Sequence, residues 1–121
     1  MALIPASILK RLYVIGSLGN VPGGSRFTVK NTLARGTIGQ VYGLTVDGQP
    51  VSPAQMTLNF PDRSLPATQI TPQQPCVFPV NVPVDVVLAG VSLTPGQHQI
   101  GLSLRIIEFG DVNVEFGDAV V

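Results

Sequence analysis

Hydrophobic and polar residues alternate with a period of two over most of the chain, which is the signature of half-buried β-strands. Over Arg26 to Leu33, Phe27, Val29 and Leu33 fall on one side, with Thr28, Lys30 and Thr32 on the other. Tyr42, Leu44 and Val46 are in phase in the next run, which ends at Asp47-Gly48. That dipeptide predicts a tight hairpin, because both central positions need φ > 0. Gln49 to Val51 starts back, interrupted by Pro50 and Pro53, and Met56, Leu58 and Phe60 make a short third run. The clearest alternation spans Val77 to Leu88, where Phe78, Val80, Val82, Val84, Val86 and Leu88 share a side. Pro79 and Pro83 remove ladder donors from it, which predicts a sheet edge or a bend. Leu93 to Gly96 reads as a turn feeding His98 to Ile106, with Ile100, Leu102, Leu104 and Ile106 on one face, and Val112, Val114 and Phe116 form the last strand.

Between these runs, eleven prolines and thirteen glycines mark turns. Asp62 to Pro75 is polar and predicts a loop. Helical spacing occurs only over Pro5 to Tyr13, where Ile8, Leu9 and Leu12 could share a face, and an irregular arm over residues 1–16 is the alternative. About six to eight short strands without intervening helices predict an all-β antiparallel sandwich, with a small closed barrel as the alternative. No Cys-Trp-Cys pattern is present, so a true immunoglobulin domain is ruled out. The 121 residues suit one domain.

Composition changes the picture in one respect. Only 12% of the residues are charged, against about 25% in an ordinary domain, and mean hydropathy is +0.38. No uninterrupted apolar stretch reaches the roughly 18 residues of a membrane span, so the composition predicts apolar surface buried against partner chains. Seven acidic and seven basic residues balance, without the basic stripe of a nucleic-acid binder. At the N-terminus Lys10 and Arg11 follow the first apolar residues, which argues against a signal peptide. The lone Cys76 permits no internal disulfide and suits a reducing, cytoplasmic setting. It reads as a small buried hydrophobe.

Candidate chemistry is sparse. His98 lies in phase with the apolar face of its strand and has no second ligand at zinc spacing, so a structural ring bonded to nearby backbone is expected. Glu108, Asp111, Glu115 and Asp118 cluster late, and Phe109-Gly110-Asp111 recurs as Phe116-Gly117-Asp118. They match no calcium-loop ladder, and solvated faces and turns account for them better than a metal. Gly23-Gly24 and Gly36-Thr37-Ile38-Gly39 fit neither a dinucleotide fingerprint nor a P-loop. Arg35 is either an interface residue or a solvated turn residue. No catalytic, cofactor-binding or metal-binding residue is assigned, and Arg35 and His98 are the candidate partner contacts.

Several segments in order, Ser17-Leu18-Gly19-Asn20-Val21, Arg26-Phe27-Thr28-Val29, Ala34-Arg35-Gly36, Gly43-Leu44-Thr45-Val46-Asp47-Gly48-Gln49-Pro50-Val51 and Leu93-Thr94-Pro95-Gly96-Gln97-His98-Gln99-Ile100, resemble the small β subunits of bacterial C-glycoside deglycosidases. The resemblance implies a non-catalytic β-sandwich paired with a larger TIM-barrel α subunit. That partner would hold a divalent metal such as manganese and the residues that cleave the carbon–carbon bond of 3-oxo-C-glycosides. This chain would then be the accessory subunit of a lyase, in a cytoplasmic hetero-oligomer. Two other readings stand beside it. One is a self-assembling sandwich of shell or capsid type; the other is a carbohydrate-binding module, disfavoured by the absence of Trp and the presence of only Tyr13 and Tyr42.

Overall fold

The computed structural model describes residues 4–121, so the first three positions of the expected arm lie outside it. A short helix α1 (Ala6–Leu9) runs into a 3₁₀ turn (Lys10–Leu12). Ten strands follow: β1 (Gly19–Val21), β2 (Gly24–Lys30), β3 (Gly36–Val46), β4 (Gln49–Val51), β5 (Met56–Phe60), β6 (Arg63–Pro66), β7 (Cys76–Phe78), β8 (Pro83–Ala89), β9 (Gly96–Ile106) and β10 (Gly110–Val120). They form two antiparallel sheets, β1-β2-β8-β5-β6 and β10-β9-β3-β4, with β7 also pairing β3. The predicted β-sandwich is the observed fold, and the sheets do not close into a barrel.

The periodicity sets what each sheet buries. In β5, Met56, Leu58 and Phe60 point inward while Thr57 and Asn59 are half-buried. In β9, His98, Ile100, Leu102, Leu104 and Ile106 are all buried, as their shared phase predicts. Phe27, Met56, Leu88, Val84 and Val86 are the largest fully enclosed apolar side chains of the core. Asp47 and Gly48 take φ of +51° and +83°, so the hairpin joining β3 to β4 is the one the sequence predicts.

Four segments depart from the pattern. β3 carries two bulges, since its pairing with β9 slips between Ile38 and Gln40 and again between Val41 and Gly43. The second slip makes Tyr42 the extra residue, so it turns outward while Val41 turns in. The alternation from Val77 to Leu88 is not one strand. It divides into β7 in one sheet and β8 in the other, with Asn81 at φ +64° in the crossing. Pro79 and Pro83 flank that crossing, as the expected bend requires, but β8 lies between β2 and β5 rather than at an edge. Pro83 is tolerated there as the strand's first residue. β2 stops at Lys30, leaving Leu33 in a loop and 40% exposed. Finally, Asp62 to Pro75 is not wholly irregular: it contains β6 and a 3₁₀ turn that buries Ala67.

The helical segment is a single turn of α-helix and one of 3₁₀, and its Leu9 and Leu12 are buried. Beyond it the chain fastens both sheets. Tyr13 bridges to Val29 of β2, and the Val14 amide donates to the Thr28 carbonyl at 2.9 Å. The Tyr13 ring stacks on Phe116 of β10 with centroids 3.8 Å apart, and Phe27 meets Phe116 edge-on at 5.1 Å. The Tyr13 hydroxyl donates to Asp118 at 2.7 Å and accepts from the Leu18 amide at 3.0 Å, while the Gly16 amide donates to the same carboxylate at 2.8 Å. This segment therefore joins β2 of one sheet to β10 of the other.

Candidate functional site

The two residues singled out as partner contacts lie at opposite ends of the sandwich. Arg35 precedes β3 and His98 lies near the start of the antiparallel β9, beside the far end of β3. The eleven residues of β3 at roughly 3.3 Å each separate these ends.

At the His98 end, the ring is buried. Its Nδ1 lies 2.6 Å from Asp47 Oδ2, and its Nε2 lies 2.7 Å from the Thr94 carbonyl. Both partners only accept, so this arrangement favours the doubly protonated ring, in which both nitrogens donate. The Thr94 carbonyl and then the Asp47 carboxylate accordingly raise its pKa above the ordinary value. Asp47 Oδ1 accepts from the Gln99 amide at 2.8 Å, and this bond together with His98 lowers the Asp47 pKa. The pairing superficially matches an acid–histidine dyad. Both ring nitrogens are already engaged by Asp47 and Thr94, which leaves neither open toward a substrate, so the group ties the β3–β4 hairpin to the segment before β9. The backbone bond was expected. Asp47 was not, although the antiparallel register that sets Val46 against Ile100 brings its neighbour beside Gln99.

The Arg35 end has a different character. Three large apolar side chains are exposed there: Leu33 at 40%, Val80 at 41% and Ile107 at 51%. The loops that carry them are held in place by polar contacts. Asn31 is buried; its Nδ2 donates to the carbonyls of Ala34 and Phe78, at 2.8 and 3.0 Å, and its Oδ1 accepts from the Leu33 amide at 3.1 Å. The Asn81 amide donates to the Asn31 carbonyl at 2.7 Å. The β9–β10 turn is fastened to β3 in two ways. The Ile107 amide donates to the Thr37 carbonyl at 2.9 Å, and the Glu108 carboxylate accepts from the Thr37 hydroxyl and amide, each at 2.8 Å. The Thr37 hydroxyl bond is the main cause that lowers the Glu108 pKa, with a smaller contribution from the Arg35 charge. Arg35 itself is exposed and has no ion-pair partner within contact among the described residues.

The remaining candidates have structural placements. The two Phe-Gly-Asp segments are not equivalent: the first spans the turn and start of β10, where Gly110 has φ +94°, and the second puts Phe116 in the aromatic cluster and Asp118 on Tyr13. Asp111 accepts from the Tyr42 hydroxyl at 2.8 Å and pairs with Arg105 at 3.4 Å. No group of three His, Cys, Asp or Glu side chains among the described residues is placed to hold a metal ion. Cys76 is buried, as expected, and burial raises its thiol pKa despite an Arg63 guanidinium 3.3 Å from the sulfur. Such a thiol is a poor nucleophile. No helix among the described residues is long and apolar enough to cross a membrane.

Fold and contacts thus define a β-sandwich in which His98, Asp47, Glu108 and Asp118 hold loops and strand ends together. The family model for the N-terminal domain of hydroxymethylglutaryl-CoA reductase matches residues 8–121, and the chain belongs to that family. No curated protein matches it. The family match overturns the resemblance to C-glycoside deglycosidase β subunits, and with it the lyase-accessory role and the self-assembling shell role. The expected metal-bearing TIM-barrel partner gains no support from it. The structure shows why the resemblance misled. Its sharpest pieces, Val46-Asp47-Gly48 and Pro95-Gly96-Gln97-His98, are a hairpin and a turn clamped together by His98. Turn chemistry of that kind reports on sandwich geometry and not on one family.

Proposed function

We propose that the chain serves a hydroxymethylglutaryl-CoA reductase as a non-catalytic domain that packs against the catalytic part of the enzyme through its Arg35 end. The observation that carries this reading is the gathering of Leu33, Val80 and Ile107 on one end of a charge-poor sandwich. Exposed apolar side chains at one end, together with a guanidinium that has no ion-pair partner among the described residues, have the make-up of an interface centre with an Arg anchor. The loops bearing them are already held by Asn31 and Glu108, so little ordering would be lost on association. The family match supports the choice of enzyme.

The test is co-sedimentation of the chain with the catalytic part of a hydroxymethylglutaryl-CoA reductase from the same source, alongside turnover of hydroxymethylglutaryl-CoA with and without the chain. The reading expects a defined complex, altered turnover when the chain is present, and no turnover by the chain alone. Independent sedimentation with unchanged turnover refutes it.

A further inference from the structure

Among the described residues, β10 is the long open edge of the sandwich. It runs eleven residues at the end of its sheet, whereas the other outer strands, β1, β4, β6 and β7, have three or four. Contacts at its far end fix which backbone groups face outward. The Gln99 carbonyl accepts from the Asp47 amide at 2.7 Å and so points to the β3 side of β9. Gln99 is paired with Gly117, so Gly117 turns its amide and carbonyl away from β9. The Ala119 amide agrees, since it donates to the Asp118 side chain at 2.8 Å. The register with β9 is unbroken from Gly110 to Val120, so Asp111, Asn113 and Glu115 face outward in the same way. Asp118, bound also by the Gly16 amide, blunts the far end of this edge as an inward-facing charge does. The near end carries no such block among the described residues: β10 has neither proline nor bulge. An open hollow of about 290 Å³ runs beside it, with Ile4, Ala6 and Leu9 on one side and Asp111, Asn113 and Glu115 on the other.

We propose that residues 111–117 of β10 take up an extended segment of a partner protein as an added antiparallel strand. Main-chain pairing with Asp111, Asn113, Glu115 and Gly117 supplies the affinity. The added strand's inward side chains meet Ile4 and Leu9 in the hollow and are apolar; its outward side chains lie beside Asp111 and Glu115 and are cationic. A second copy of this chain is a poor occupant. Full antiparallel overlap of two 111–117 stretches would set the copy's Asn113 opposite Glu115, with both of the copy's acids diagonal to that carboxylate. The site runs along the side of the sandwich and does not depend on the docking role proposed above.

Amide-detected NMR of the full chain tests it with synthetic heptapeptides of alternating lysine and valine. One is unmodified, one is N-methylated on the backbone at each lysine, and one at each valine; a further peptide has glutamate for lysine. The unmodified and valine-methylated peptides are expected to shift the amides of Asp111, Asn113, Glu115 and Gly117 and to slow their exchange with solvent. Methylation at lysine removes the donors that face β10 but keeps every charge, and should weaken binding about tenfold. The glutamate peptide should be weaker by a similar factor. N113P removes one outward amide and leaves the β9 ladder intact, a change that an edge strand tolerates. It should lose the response while signals elsewhere in the chain stay in place. Equal binding by the lysine-methylated peptide would leave only ionic adhesion and overturns the proposal. Glutamate peptide binding as tight as the lysine form, or no change at these amides with any peptide, overturns it as well.

Discussion

Tyr13 is the most exacting test of how the N-terminal segment holds the sandwich shut. Y13F keeps the ring, and so keeps the stack on Phe116 at 3.8 Å and the contact with Phe27. It removes one hydroxyl that makes two bonds. The bond donated to the Asp118 carboxylate is charge-assisted and partly exposed, worth about 1.5 kcal/mol at the low end of its class. The Leu18 amide, buried at 3.0 Å from the same oxygen, loses its partner and costs about 1 kcal/mol more. The loss is therefore about 2–3 kcal/mol, or roughly 6–15 °C in Tm for a domain of this length. Asp118 adds a pH signature. Its pKa is lowered in the folded chain, first by Tyr13 and then by the amides of Gly16 and Ala119. A carboxylate with a depressed folded-state pKa contributes stability above its unfolded value of about 3.9, and that contribution is lost as pH falls toward the folded value. Urea unfolding of both forms should therefore show the full gap at pH 7 and a narrowing gap below about pH 4. A gap under 0.5 kcal/mol at pH 7, or one unchanged at pH 3, would refute the reasoning.

Three further outcomes follow from single contacts. His98 has its pKa raised by Thr94 and Asp47, so its contribution is whole below the ordinary histidine value of about 6.5 and is lost as pH rises through the higher folded value; H98Q should flatten the stability profile measured upward from pH 6. A Cβ added to Gly24 would strike the Leu88 carbonyl across the β2–β8 pair, so G24A should lower stability by about 2 kcal/mol in chemical denaturation. The Ser25 hydroxyl is fully buried and has no protein partner among the described residues, so S25A should be neutral or stabilising by up to about 1 kcal/mol, and a loss above that would show an unrecognised bond.

Strands with strict alternation were legible because each buries one face against the same core: β5, β9 and the β3–β4 hairpin follow directly from residue order. What escaped the sequence has specific causes. The bulge at Tyr42 shifts the phase of β3 by one residue, and no local signal separates Tyr42 from Val41 as the inward residue. Phe78 and Val84 share a parity in the sequence and both are buried, yet they belong to different sheets because the chain crosses over between them. The short strands β1, β6 and β7 have too few residues to show a period, and only pairing partners distant in sequence define them. The Arg35 end was legible only in part. Arg35 drew attention as a charge in a charge-poor chain, whereas Leu33 and Val80 were read as inward because alternation continues through their loops. Ile107 follows Ile106 directly and signalled nothing until the β9–β10 turn pointed one in and the other out.

The central claim, that the Arg35 end is the docking face, is tested most directly by amide hydrogen exchange of the chain alone and bound to the catalytic part of the reductase. The account predicts new protection over residues 31–37, 79–82 and 106–110, with no change around Asp47 and His98. Protection confined to the Asp47–His98 end, or no difference between the free and mixed samples, would contradict it.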